Sequence, residues 1–192
     1  MKSIAVFCAS AKGNNAIYIQ AATAVGKAIA KRNLTLVYGG SSIGLMGAVA
    51  KGALSEGGEV IGVLPHFLDK REIAQEGIKM IKVDSMHERK LKMNELSDAC
   101  LTLPGGFGTM EEFFEMVTWA QLGLHEKPNA LLNVNGYYDL LFQQIEKMVK
   151  EGLLKEKHSK LLLYNEDIEM LLNQMSEYKA PNVKEWLKKD NL

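Results

Sequence analysis

Cysteine and proline are scarce, with two and four residues respectively in a chain of 192. So few cysteines exclude a disulfide scaffold, and a chain of this length buries about 70% of its unfolded surface without such staples. Cys8 and Cys100 each lie in an apolar run and read as reduced core thiols, the usage expected of a cytoplasmic protein. Net charge is absent as well: 23 Lys and Arg balance 23 Asp and Glu. A general nucleic-acid or anionic-membrane binder carries a basic excess, so neither partner is expected. Long hydrophobic runs are also missing. The longest uncharged stretch, Asn33 to Ala50, is interrupted by four glycines and by Asn33, Thr35, Ser41 and Ser42, so no membrane span is expected. The apolar run Ile4 to Cys8 is too brief for a signal-peptide core. His66, His87, His125 and His158 show no ligand spacing with each other or with the cysteines, and no metal site is expected. What is present, 47% apolar and 24% charged residues, is the composition of a soluble globular chain.

Strand-length apolar runs alternate with segments of helical period. Ile4 to Cys8 is a buried strand, followed by a helix face of Ile17, Ala21, Ala24, Val25, Ala28 and Ile29. Leu34 to Tyr38 is a second strand, and Gly39-Gly40 turns into a helix from Gly44 to Ser55. Val60 to Leu64 is a third strand, stopped by Pro65, and Ile78 to Val83 alternates weakly as a fourth. A helix over Met86 to Leu96 leads into a strand at Ala99 to Leu103, and a further helix runs to Leu122. Ala130 to Val134 is another strand. Leu141, Ile145, Met148 and Val149 form one side of the next helix, which Gly152 ends. This rhythm predicts an α/β fold, a Rossmann-like doubly wound parallel sheet with helices on both faces. No linker, repeat or low-complexity tract divides it, so residues 1–192 read as one domain. Its tail, 180–192, has Trp186 among lysines and is expected to dock as a short helix.

Ligands in such sheets bind beyond the carboxyl ends of the strands. Three turns rich in small residues fall there: Cys8 to Gly13, Gly39 to Gly44, and Gly105 to Thr109. The last belongs to Pro104-Gly105-Gly106-Phe107-Gly108-Thr109-Met110-Glu111-Glu112. Its glycines let amides converge on an anion at a helix start, which suits a phosphate, or they merely permit a tight turn. Thr109 to Glu112 also fits a capping box, so Glu112 reads equally as a cap and as a chemical group. A carboxylate beside a sugar C1′ stabilises an oxocarbenium-like transition state. Arg89 and Lys90, in Met86-His87-Glu88-Arg89-Lys90, reach the same cleft or lie on a solvated face with Glu88 and Lys92 paired. Met110 and Met116 line an apolar pocket or belong to the core. The Gly39 to Gly47 segment lacks the lysine of a P-loop and the spacing of a dinucleotide fingerprint. No conspicuous acid ends the second strand to hold an adenosine ribose, so a redox dinucleotide is not supported.

Pro104 to Glu112 matches the pattern PGGxGTxxE and Met86 to Lys90 matches MHxRK. With Tyr38-Gly39-Gly40, Gly44-Leu45-Met46-Gly47 and Thr118 to Gly123, the chain resembles the Lonely Guy (LOG) family from Val6 to about Leu153. These are cytokinin riboside 5′-monophosphate phosphoribohydrolases, many of them mislabelled as lysine decarboxylases. The resemblance implies hydrolysis of the N-glycosidic bond of an N6-substituted AMP, releasing free base and ribose 5-phosphate without a cofactor. It implies that Arg89 and Glu112 are the catalytic pair; on physical grounds Arg89 is expected to hold the nucleotide and to keep Glu112 ionised by its nearby charge. Gly105, Gly106, Phe107, Gly108 and Thr109 then form the phosphate turn, with Lys90, Met110, Glu111, Thr118 and Glu72 as further nucleotide contacts. A homodimer is implied, with the prenyl-binding end of the site close to the subunit interface. Ala9, Ser41 and Phe107 depart from the common pattern, which touches local backbone approach and one hydroxyl beside the ligand. Two alternatives remain at this level: a general nucleoside-monophosphate nucleosidase, and a non-catalytic nucleotide or cofactor carrier on the same fold. A lysine decarboxylase normally needs a Schiff-base lysine for pyridoxal phosphate, and none stands out.

Overall fold

The computed structural model describes residues 1–68 and 74–183. Seven strands run β1 (Ser3–Phe7), β2 (Thr35–Tyr38), β3 (Val60–Pro65), β4 (Lys79–Val83), β5 (Ala99–Thr102), β6 (Asn129–Leu132) and β7 (Leu162–Asn165). The helices between and after them are α1 (Ala16–Lys31), α2 (Gly44–Ser55), α3 (Met86–Glu95), α4 (Phe107–Gln121), α5 (Asp139–Lys150), α6 (Glu156–Ser159) and α7 (Ile168–Glu177). All strand pairs are parallel, in the order β4-β3-β2-β1-β5-β6-β7. The chain works outward from β1 to β4, returns through α3, and works outward again from β5. The reversal lies between β1 and β5, where an open α/β sheet leaves a crevice at its carboxyl edge.

Continuous apolar strands arise because both faces are covered. Ile4, Val6, Leu36 and Tyr38 meet α1, α2 and α7 through Val25, Ile29, Val49 and Leu171. Ala5, Phe7, Val37 and Val63 meet Met93 of α3 and Met116 of α4 on the other side. Phe113 of α4 and Leu131 of β6 pack with Leu141 and Phe142 of α5. The two cysteines are free and buried, as expected.

Local signals place the helix ends. The Asn15 side chain accepts from the Ile17 amide at 3.0 Å and caps α1. Ser85 accepts from the Glu88 amide at 3.1 Å, and the Glu88 carboxylate reaches back to the Asp84 amide at 2.8 Å. Glu88 is thus spent on the start of α3, and Lys92 pairs instead with Glu95 at 2.7 Å. Gly152, at φ +73°, follows the end of α5 in the left-handed conformation its sequence position predicts.

The strand expected to reach Val134 stops at Leu132. The Asn133 side chain accepts from the Tyr138 amide at 2.7 Å and donates to Asp139 at 2.8 Å, and Asn135 turns left-handed at φ 54°. These side-chain bonds hold the backbone in a turn and end the ladder. Between Gly152 and Pro181 the sequence reading assigns nothing, whereas the structure places α6, β7 and α7 there. The signal was the run Leu161 to Tyr164 followed by Asp167, which caps α7 by accepting from the Met170 amide at 2.9 Å. Trp186 and most of the expected tail helix lie outside the described residues.

His125 contributes a pH dependence. One ring nitrogen lies 3.0 Å from the Met116 carbonyl, and the other accepts from the Lys127 amide at 3.2 Å. That pair of bonds requires neutral imidazole, with the proton on the nitrogen facing Met116. Burial and then the Lys127 ammonium hold its pKa below the ordinary value of 6.5, more than offsetting the Met116 bond. His158 is lowered in the same direction, by burial and then Lys157 and Lys155. A depressed histidine stabilises the fold fully above 6.5, and that contribution is lost as pH falls towards the folded value. The melting temperature is therefore expected to fall as pH drops through and below 6.5, and less steeply in His125→Gln. Superimposable pH profiles for the two proteins would refute this contribution.

Candidate active site

A cleft of about 410 Å³ opens at the carboxyl edge of the sheet, lined by the turn after β1, by Gly39, by α3 and by the start of α4. The turn is built from its carbonyls outward. The Leu103 carbonyl accepts from the Tyr138 hydroxyl at 2.7 Å and the Pro104 carbonyl from the Ala9 amide at 3.3 Å. The Gly105 carbonyl accepts from the Tyr137 hydroxyl at 2.7 Å, and the Gly106 carbonyl from the Met110 amide at 3.0 Å. Gly106 is the N-cap of α4, with no side-chain cap. The first amides of a helix have no intrahelical partner, so this start presents donors and the positive end of the helix dipole. Gly106, Phe107, Gly108 and Thr109 line the cleft. A Cβ on Gly106 or Gly108 would meet nothing within 4 Å, leaving backbone approach open. At Gly105 a Cβ would fall 2.1 Å from the Thr109 hydroxyl, which is packed over the turn.

The capping box drawn from the sequence does not form. Because α4 begins at Phe107, Thr109 and Glu112 are both inside the helix. Glu112, one turn on, is buried with its carboxylate at the cleft wall. Facing it is Arg89 from α3, whose Nη1 lies 3.4 Å from Glu112 Oε1. Only 8% of the Arg89 side chain and 10% of the Glu112 side chain are exposed, which rules out a solvated surface pair. Arg89 Nε donates to the Val63 carbonyl at 3.1 Å and Nη2 to the Gly39 carbonyl at 3.3 Å. Two strand ends thereby fix the guanidinium, and Nη1 is left to address Glu112.

Lys90 is buried beside Arg89 but engages elsewhere. Its ammonium pairs with Glu111, and with Glu115 at 2.9 Å. Burial lowers its pKa, but the hydrogen bonds to Glu111 and Glu115 more than offset that, and the net direction is upward. The three acids crowded at the start of α4 thus divide, one towards Arg89 and two onto Lys90. Glu111 lines the cleft, whereas Lys90, Met110 and Thr118 do not. Met110 packs in the cluster of Phe113 and Leu131, Thr118 is exposed, and Met116 is fully buried in the core beneath the sheet. Glu72 lies outside the described residues.

Cys8 and Ser10, in the turn after β1 that the sequence places at the ligand edge, line the cleft. Met46 and Met86 of the quoted motifs join Leu68 and Met93, which sequence reasoning missed, in an apolar wall near Arg89. The Cys8 thiol is pushed well above its ordinary range by burial and then by the Glu112 charge, Arg89 opposing, so it is neutral and no nucleophile. No group of three or more potential metal ligands occurs among the described residues, and no helix among them is long and apolar enough to cross a membrane.

A family model described as "Possible lysine decarboxylase" matches residues 46–175. The chain is 43% identical over 191 residues to a cytokinin riboside 5′-monophosphate phosphoribohydrolase of Arabidopsis thaliana, covering 96% of this chain and 90% of that one. It is 44% identical over 178 residues to an enzyme of the same name from Oryza sativa subsp. japonica, covering 92% and 74%. Among solved structures it is similar to the molybdenum cofactor carrier protein of Chlamydomonas reinhardtii, with TM-score 0.69, 21% identity, and 92% and 96% of the two chains covered. The molybdenum cofactor binding protein of Rippkaea orientalis gives TM-score 0.67 at 21% identity, covering 92% and 96%. The structural likeness is one of fold, the Rossmann-like sheet; the sequence relationship is closer and spans almost the whole chain. The chain belongs to the LOG family, which its glycine turn and its Arg89 motif already resemble.

Proposed function

We propose that this protein hydrolyses the N-glycosidic bond of N6-substituted adenosine 5′-monophosphates, giving free base and ribose 5-phosphate. The observation that carries the reading is the buried Arg89–Glu112 pair beside an uncapped helix start in one cleft. The turn Gly105 to Thr109 holds the 5′-phosphate through α4 amides and the helix dipole, and so fixes the sugar. Glu112 stabilises the positive charge that develops at C1′ as the bond to the base breaks, or takes the proton of the attacking water. Arg89 is its counter-charge and sets its direction. Water adds at C1′, the bond electrons leave with the base, and the base gains one proton. Glu111 completes the cleft wall as a nucleotide contact, with Lys90 holding it in place. Thr118, Met110 and Glu72 belong to the proposal through the family resemblance. The same reading includes a cytoplasmic homodimer whose interface lies near the prenyl end of the site. Light scattering expects twice the chain mass of 21.3 kDa, and a monomer at assay concentration contradicts that part.

The name "Possible lysine decarboxylase" has a weaker footing in the residues. Among the described residues lining the cleft there is no lysine, and Lys90 is committed to two carboxylates. Adding pyridoxal phosphate is expected to give no aldimine absorbance band. The glycosidase reading is tested by assaying a prenylated adenosine monophosphate beside its unphosphorylated nucleoside. Efficient cleavage of the nucleotide alone supports a phosphate-anchored phosphoribohydrolase, and equal cleavage of both refutes the anchoring role of the turn. Equal rates on plain AMP point to a general nucleoside-monophosphate nucleosidase. Tight binding without cleavage points to a nucleotide or cofactor carrier.

A further inference from the structure

We infer that Tyr137 is a positioning residue that holds the anion-binding turn in the orientation that presents its amides, an inference that rests on the proposed phosphate role of that turn. Each carbonyl from Leu103 to Gly106 has a donor, but the donors differ in kind. Those on Pro104 and Gly106 are backbone amides belonging to the fold itself, and the Tyr138 hydroxyl on Leu103 is buried. The Gly105 carbonyl depends on Tyr137, a residue 44% exposed.

The rear of the turn is not packed solid. A second cavity of about 200 Å³, lined by Pro104, Gly105, Gly106, Tyr137, Tyr18 and Lys12 among others, lies behind it. On that side the cavity leaves room for the peptide between Gly105 and Gly106 to turn, and its amide belongs to the N-cap of α4. That peptide rotates as a unit, since its carbonyl and its N–H are held in one plane. Anchoring the carbonyl on one side directs the N–H to the other. Tyr137 is itself held, with its ring edge-on to Tyr18 at 5.8 Å and to Tyr138 at 5.0 Å. Tyr138 in turn is fastened through its amide to Asn133. The chain of support runs from the end of β6 to the turn after β5.

The test is Tyr137→Phe in the full-length protein, which keeps the ring contacts and removes one hydroxyl. Ribose 5-phosphate binding by calorimetry is expected to weaken roughly fivefold to tenfold, the loss typical of one hydrogen bond. The KM for the nucleotide should rise in step, with kcat within about twofold and the melting temperature close to wild type. Residual cleavage of the unphosphorylated nucleoside should not change, because it does not use the turn. Equal ribose 5-phosphate affinity in wild type and variant overturns the role of Tyr137 and leaves the phosphate assignment standing. A loss that falls equally on nucleoside and nucleotide overturns it too, because that marks general loosening. Wild-type protein without measurable ribose 5-phosphate affinity overturns the phosphate assignment itself, and the inference with it.

Discussion

Glu112→Gln is expected to lower turnover by about 10²- to 10⁴-fold, the range for loss of a positioned carboxylate in proton transfer or charge stabilisation. Nucleotide affinity should change little, because the proposed phosphate site is formed by amides at the start of α4, one helical turn away. Glutamine keeps the shape of the side chain and an oxygen to face Arg89 Nη1, so the guanidinium retains a partner in addition to the Val63 and Gly39 carbonyls. The substitution thus separates the charge of Glu112 from its volume. Alanine would remove both and leave Arg89 facing a void in a site where 8% of its side chain is exposed, which adds an unpaired buried charge to the catalytic loss. A glutamine variant within a few-fold of wild-type turnover would contradict the assignment.

The second large effect is expected at a residue with no side chain. A Cβ on Gly39 would lie 2.0 Å from Arg89 Nη2 and 2.8 Å from Met46 Sδ. The methionine sulfur yields, because its chain is flexible, but the guanidinium is pinned. Its Nε is held on Val63, and its Nη2 is the group that bonds the Gly39 carbonyl. Gly39→Ala therefore pivots Arg89 away from Glu112 without altering any polar group. A displacement of about 1 Å at a catalytic group costs on the order of 100-fold in rate, and that is the loss expected in kcat. Gly39 does not have a positive φ, so backbone strain does not confound the result, and circular dichroism should show the fold retained. Wild-type kcat in this variant would show that the position of Arg89 is not critical.

The strand and helix rhythm was legible because both faces of the sheet are covered, which makes strands such as Val60 to Leu64 continuous apolar runs. The edge elements β7 and α7 were not, since a four-residue run is short for either period and α7 buries only Leu171, Leu172 and Met175. Arg89 and Glu112 could be named from their motifs. The environment that gives them their character could not, because Arg89 draws on Val63 and Gly39, 26 and 50 residues away, through the return of the chain from β4 to β5. The division of Glu111, Glu112 and Glu115 between Arg89 and Lys90 depends on how α3 lies across α4. Tyr137 gave no signal, since a tyrosine in a turn after a strand has many uses.

Product analysis on N6-isopentenyl-AMP tests the central claim most directly, run with wild type and with Glu112→Gln at equal nucleotide saturation. Wild type should release isopentenyladenine and ribose 5-phosphate in equal amounts, and the variant should bind the nucleotide and release almost none. Release of neither product by wild type, or equal release by the variant, would contradict the claim that the Arg89–Glu112 cleft breaks the glycosidic bond.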